Sequence, residues 1–165
     1  EDVDEMEKML NEYLQFASAD SKEKSEKFSL TDLMINVIKK YENKNIIPEI
    51  HKNILMHGRK NLILRCINNF IDNSIKYANK IYIQLSKTSN HNIIIIDDDG
   101  PGIDEKEYEN VFKPFYKIDK SRGEAKSSVG LGLSIASDIV RSHGGNIILE
   151  KSPQKGLRVK VFFPF

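Results

Sequence analysis

An α+β two-layer sandwich, one mixed sheet covered by helices on one face, is the fold class this sequence predicts, and three observations predict it. Short strand-like runs come in pairs with helical stretches between them, without the regular strand–helix repeat of a doubly wound sheet. Two stretches, 61–78 and 131–143, carry apolar residues at helical spacing on one side, as a helix laid on a sheet requires. The length of 165 residues, 39% hydrophobic and 30% charged, allows one globular domain with a substantial core.

Composition excludes several functions. The 25 basic and 24 acidic residues leave a formal charge of +1, which gives no support to a nucleic-acid-binding surface. A single cysteine, Cys66, excludes an internal disulfide and a cysteine-based zinc cluster, and reads as a small buried hydrophobe. No apolar run approaches the roughly 20 residues needed to span a bilayer. There is neither a signal peptide nor an initiator methionine, and acidic EDVDEMEK opens inside a helical pattern. The chain is therefore expected to be cut from a longer one.

In order, Met6, Met9, Leu10, Tyr13, Leu14 and Phe16 give residues 1–17 the stripe of an amphipathic helix that needs a partner. SADSKEKSEK, 18–27, reads as a linker by its small polar residues. Phe28-Ser29-Leu30 reads as a short strand, followed by a helix from Thr31 to about Glu42 and a turn at Asn43-Lys44-Asn45. Two short strands follow at 46–50 and 53–57, then the helix 61–78. Strands at 80–87 and 92–97 flank the polar hairpin residues Thr88–His91, and a short helix covers 104–111. Residues 113–129 have no clean period, and a connection of that length in a compact domain is expected to be functional or mobile. A helix from Leu131 to His143 ends at Gly144-Gly145, and strands at 146–150 and 157–163 close the chain.

Three stretches carry chemistry. On the helix 61–78, Ile63, Ile67, Phe70, Ile71, Ile75 and Ala78 form the buried face, while Asn69, Asp72, Asn73 and Lys76 lie opposite, with Tyr77 at the flank. Asparagine is a mediocre helix former, so four between 61 and 73 ask for a reason: a solvated face, or oxygen ligands for a hard cation beside a lysine that meets a phosphate. Next, four isoleucines, 93–96, make a fully buried strand that runs into Asp97-Asp98-Asp99-Gly100-Pro101-Gly102. This fits either a sharp acidic turn or a place where backbone approaches a ligand closely. Last, Gly130-Leu131-Gly132-Leu133 opens a helix after a basic segment, which fits a glycine hinge or a phosphate site.

Each signal is modest alone; their order is specific. An asparagine helix, Asp-x-Gly-x-Gly after a strand, Phe-x-Pro-Phe, then Gly-Leu-Gly-Leu opening a helix resembles the catalytic ATP-binding domain of sensor histidine kinases, within the superfamily shared with gyrase, mismatch-repair and chaperone ATPases. The resemblance covers about residues 28–165 and implies the gyrase/histidine-kinase-type ATPase fold. Residues 1–20 resemble the end of the second helix of a dimerisation and phosphoacceptor domain, as in osmosensing, EnvZ-like kinases, with 21–27 as linker.

Residue by residue, the resemblance implies ATP and Mg²⁺ as cofactors. Asn73 matches the asparagine that coordinates magnesium on the ATP phosphates, with Asn69 one turn earlier. Lys76 and Tyr77 match residues that border phosphate and nucleotide. Asp98 matches the aspartate that accepts from the adenine amino group; Gly100, Gly102 and Ile103 shape the pocket beside it. Phe112 and Phe115 match the aromatic anchor of a lid, Lys117 and Arg122 fit lid positions that reach phosphates, and Gly130, Leu131, Gly132 and Leu133 match the lid's end.

Three departures from the family's pattern matter. Ser128 stands where many relatives begin the last motif with glycine, which suggests a less flexible lid. Asn69 stands where gyrase-type ATPases carry a water-activating glutamate, which argues for phosphoryl transfer over hydrolysis. The family's acceptor histidine is followed by Glu or Asp, whereas His51, His57, His91 and His143 are followed by Lys52, Gly58, Asn92 and Gly144. His143 reads instead as a helix C-terminal dipole contact. The expected function is transfer of the γ-phosphate to a histidine on a separate dimerisation/phosphoacceptor domain, with a response-regulator receiver domain downstream. The expected location is a cytoplasmic domain whose parent chain sits in a bacterial inner membrane. An anti-sigma-factor-type serine kinase and a non-catalytic ATP-sensing module stand as alternatives.

Overall fold

The computed structural model describes residues 2–116 and 131–165; the predicted lid residues Lys117, Arg122, Ser128 and Gly130 lie outside the described residues. Its elements run α1 (Asp2–Lys22), β1 (Glu26–Ser29), α2 (Leu30–Lys39), β2 (Ile46–Ile50), β3 (Leu55–Gly58), α3 (Lys60–Tyr77), β4 (Ile81–Lys87), β5 (His91–Asp98), α4 (Gly132–Ser142), β6 (Asn146–Lys151) and β7 (Leu157–Pro164). Five strands form a mixed sheet in the order β2-β4-β5-β7-β6, with only β2 and β4 parallel. Strands β1 and β3 pair separately as a short antiparallel ribbon.

The strands alternate, so the sheet has one dry face. Ile81, Ile83 and Leu85, Ile94 and Ile96, and Leu157, Val159 and Val161 point inward against the helices. From α2 come Leu33, Met34 and Val37, from α3 Ile63, Ile67, Phe70 and Ile71, and from α4 Ile135, Ile139 and Val140. The four isoleucines of β5 are therefore not all buried, contrary to expectation. Ile94 and Ile96 are in the core, while Ile93 and Ile95 are half-buried on the outer face, because an antiparallel sheet needs covering on one side only.

Local chemistry explains most boundaries. Ser29 caps α2, its hydroxyl accepting from the Asp32 N–H at 3.0 Å, so the helix starts at Leu30 rather than ending a strand there. Asn53 adopts φ 61°, which delays β3 to Leu55. The expected helix over 104–111 is instead two 3₁₀ turns, Glu105–Glu107 and Asn110–Phe112, the first capped by Asp104. Helix α1 continues to Lys22, through the first residues whose composition reads as a linker. Of its stripe, Phe16 joins the core, whereas Val3, Met6, Leu10, Tyr13 and Leu14 remain between 39% and 75% exposed.

On the outer face, Asp97 of β5 lies opposite Arg158 of β7 in a two-pronged pair, Nε to Oδ1 at 2.7 Å and the second guanidinium nitrogen to Oδ2 at 2.8 Å. Asp97 is only 3% exposed, so removing its partner strands a buried carboxylate. Arg158→Met is expected to destabilise by about 2–3 kcal/mol in urea denaturation, and adding Asp97→Asn should recover part of that loss.

Candidate active site

The carboxylates at the end of β5 each find a partner, which is how three acidic residues can end a core strand. Asp98, 4% exposed, directs Oδ1 to the N–H of Gly100 and the N–H of Leu157, both at 3.0 Å. Its Oδ2 accepts no hydrogen bond from the described residues. Burial pushes the Asp98 carboxyl above the usual carboxylate range, those two N–H groups oppose the shift, and Asp99 and Asp97 add repulsion. Asp99 is exposed and is held below that range by the N–H groups of Lys80 and Asn79, 2.9 and 2.8 Å from its Oδ1. Three backbone segments meet at Asp98. A Cβ on Gly100 would lie 2.7 Å from the carbonyl oxygen of Tyr77, at the end of α3. A Cβ on Gly156, in the β6–β7 turn, would lie 2.0 Å from Asp98 Oδ1.

Helices α3 and α4 run antiparallel and touch at three levels. The Asn69 amide nitrogen donates to the Gly132 carbonyl at 3.2 Å, the Cys66 thiol to the Ala136 carbonyl at 3.5 Å, and the Arg59 N–H to His143 Nε2 at 3.0 Å. Burial pushes the Cys66 thiol far above its ordinary range, so it packs as a hydrophobe, as expected. The asparagines of α3 have separate fates. Asn68 Oδ1 accepts from the Tyr41 hydroxyl at 3.2 Å, beside Asp72, which accepts from the same hydroxyl at 2.8 Å. Asn69 latches onto α4. Asn73 is half-buried, and its amide takes no hydrogen bond from the described residues. Asp72 thus leaves the expected polar group and belongs to the contact between α3 and the turn after α2.

The structure accordingly gathers Asn69, Asn73, Lys76 and Tyr77 on α3, Asp98 and Gly100 against the end of α3, and the start of α4 against Asn69. A Cβ added to Gly102, at φ 73°, would lie 3.5 Å from the Lys155 and Gly156 carbonyl oxygens of the β6–β7 turn, and Ile103 packs on the core. Phe112 is half-buried and packs on the core, and its 3₁₀ turn rests on α4; Phe115, at φ 64°, is exposed. Leu131 is 1% exposed, so only its backbone can meet a ligand, and Leu133 is half-buried against the core. The Tyr116 hydroxyl donates to the Glu107 carboxylate and fixes the last described turn before the predicted lid. His143 is not a simple dipole contact: Nδ1 lies 2.8 Å from the Ile139 carbonyl and must donate, since Nε2 accepts from Arg59.

A family model described as the histidine kinase-, DNA gyrase B- and HSP90-like ATPase matches residues 58–165. The chain belongs to this family. The relatives it matches include sensor histidine kinase GtrS of Pseudomonas aeruginosa, 32% identical over 99% of this chain and 34% of that protein. They also include the histidine-protein kinase ArlS of Staphylococcus aureus, 40% identical over 57% of this chain and 22% of that protein. The chain thus spans about a third or less of these relatives' length. The mycobacterial sensor histidine kinase MprB superposes with a TM-score of 0.74 at 21% identity, over 86% of this chain and 97% of that one, which speaks to the fold alone.

For an ATPase of this type, the residues present fit a nucleotide that brings its own metal. No group of three His, Cys, Asp or Glu that could hold a metal occurs among the described residues. A single half-buried asparagine suits Mg²⁺, which keeps waters and takes its remaining ligands from phosphates. At the other pole, Asp98 offers a fixed acceptor-only oxygen of the kind an exocyclic amine requires. Sequence reading missed two positions. Gly156 carried no motif, and its signal, a Lys-Gly pair between two strands, is that of any tight turn. His143 carried a signal for a helix end but none for its partner Arg59.

Gly156→Ala is therefore expected to weaken ATP binding at least about tenfold and to cost about 1–3 kcal/mol of stability, read by calorimetry and thermal melting. Gly132 is different, because among the described residues a Cβ there meets nothing within 4 Å. Gly132→Ala should leave the melting temperature unchanged or slightly higher, and if a phosphate approaches the start of α4 it should weaken ATP binding about tenfold.

Proposed function

We propose that this ATPase domain binds Mg·ATP between two poles and transfers the γ-phosphate to a histidine on a separate helical domain of the same kinase. The observation that carries this reading is Asp98, a buried carboxylate pinned through Oδ1 with Oδ2 open, in the same domain as the Asn69–Gly132 contact. Asp98 takes the adenine amino group, with Gly100, Gly102 and Ile103 shaping the base pocket. Asn73 holds the magnesium, Asn69, Lys76 and Tyr77 border the phosphates, and the backbone at Leu131, Gly132 and Leu133 receives them at the start of α4. Lys117, Arg122 and Gly130 belong to the proposed lid. The bound magnesium neutralises phosphate charge; the side chains position the transferring group, and little covalent chemistry falls to the protein.

Asn69 supports transfer over hydrolysis, since an amide cannot take a proton from water and its nitrogen already donates to Gly132. The acceptor histidine lies elsewhere: His143 is engaged through both ring nitrogens. In the division 1–20, 21–27 and 28–165, the exposed apolar residues Val3, Met6, Leu10, Tyr13 and Leu14 support giving the first stretch to the helical acceptor domain, while α1 runs on to Lys22 and β1 starts at Glu26, which shortens the linker from both sides. A response-regulator receiver domain takes the phosphate onward. No described helix is long and apolar enough to cross a membrane, so anchoring in the inner membrane belongs to other parts of the parent protein.

Incubating the chain with γ-labelled ATP, Mg²⁺ and a separate acceptor-helix domain tests the reading. Acid-labile, base-stable phosphate on histidine is expected, with Asn73→Asp lowering the rate about a hundredfold. Phosphate on serine would point to the serine-kinase alternative. Bound ATP without transfer would leave an ATP-sensing module.

A further inference from the structure

Helix α3 starts without a cap of its own. Arg59, at the N-cap, makes no side-chain cap hydrogen bond, and the first turn holds no acidic residue. A helix N-terminus leaves several N–H groups without intrahelical partners and favours a negative charge nearby. Here the acceptors come from two distant places. Glu23, the first residue past α1, sets Oε2 2.8 Å from the Asn61 N–H and Oε1 3.2 Å from the Leu62 N–H. His143, just past α4, takes the Arg59 N–H.

These two caps differ in what they connect. His143, with Ser142 accepting from the Arg59 guanidinium beside it, ties the head of α3 to the end of α4, a helix of the site itself. Glu23 directly follows α1, which otherwise enters the core through Phe16, 7% exposed, with Met9 partly covered. Helix α1 is thus seated by an apolar plug and a carboxylate, and the carboxylate lands on the head of the helix that carries Asn69 and Asn73. At 1.5 Å per residue, Asn61 and Asn69 are about 12 Å apart along a stiff rod. A tilt of that rod is felt at the Asn69–Gly132 contact, which at 3.2 Å has little length to give.

We propose that Glu23 is a positioning residue that couples the seating of α1 to the placement of α3, and hence to nucleotide binding at Asn69 and Asn73. The last step rests on the reading of those residues as the phosphate end of an ATP site.

The test uses the whole 165-residue chain. Amide hydrogen exchange at Asn61 and Leu62, and the ATP dissociation constant, are compared in wild type, Glu23→Gln, Glu23→Asp, Phe16→Ala and the Phe16→Ala/Glu23→Gln double variant. Glu23→Gln is expected to speed exchange at both amides and weaken ATP binding, each about threefold to tenfold, with the shorter carboxylate of Glu23→Asp restoring part. Phe16→Ala should produce the same pair of effects, and the double variant should add nothing to the larger single one. Faster exchange in Glu23→Gln with unchanged ATP affinity would make Glu23 a local cap and overturn the proposal. So would a folded Phe16→Ala variant that leaves exchange and affinity untouched; if it fails to fold, the Glu23 pair decides. Should wild type bind no ATP, the nucleotide reading fails by itself. Exchange at residues 69–73 then decides the coupling, and no change there in Glu23→Gln would overturn it.

Discussion

A carboxylate held out of water must be given donors, and at Asp98 the donors come from the turn that follows β5 and from the start of β7. This can happen only where three backbones crowd together, which is why Gly100 and Gly156 have no room for a side chain. The same crowding sets the β6–β7 turn against the end of β5 and the end of α3 against Gly100. The hydrogen bonds use one carboxylate oxygen and leave the other fixed and open. Burial favours the neutral acid, and the N–H groups of Leu157 and Gly100 oppose that by favouring the anion.

The other pole depends on the antiparallel α3–α4 pair. Its hydrogen bonds run from the start of α4 at Gly132 to its end at Ser142 and His143, against α3 from Asn69 back to Arg59, and they set the start of α4 opposite the polar face of α3. Within that face the polar residues divide their work. Asn68 and Asp72 hold Tyr41, whose phenol is pushed upward by burial and then by the Asp72 carboxylate. Asn69 is committed to Gly132. The half-buried Asn73 keeps its amide outside the described residues' hydrogen-bond network. The asparagine-rich helix is thus neither wholly a solvated face nor wholly a ligand set.

Much of this was legible in the sequence because period and turn chemistry carry it. The two amphipathic helices, the paired strands and the Asp-x-Gly-x-Gly turn sit within a residue or two of where patterning puts them. Misreadings arose where sequence shows composition but not neighbours. The isoleucine run implied burial on both faces, yet an antiparallel sheet leaves Ile93 and Ile95 half outside. Residues 18–22 look like a linker and are helical, since small polar side chains do not forbid a helix that has already started. Gly156 and Glu23 act at a distance in sequence, on Asp98 and on the head of α3. No local pattern announces a glycine that makes room for another residue's carboxylate, or a glutamate that caps a helix 38 residues away. The predicted lid residues lie outside the described residues, so the sequence remains the ground for assigning them.

The central claim is that Asp98 reads the base. Calorimetric titration of ATP, with and without Mg²⁺, on wild type and Asp98→Asn tests it most directly. Replacing an acceptor-only oxygen by an amide, shown folded by an unchanged melting temperature, should weaken binding at least about tenfold whether or not Mg²⁺ is present. Both proteins should bind more weakly when Mg²⁺ is withdrawn, because the magnesium end of the site is unchanged in the variant. An Asp98→Asn variant that is folded and binds ATP as tightly as wild type would contradict the account, because the pinned carboxylate would then serve the fold alone.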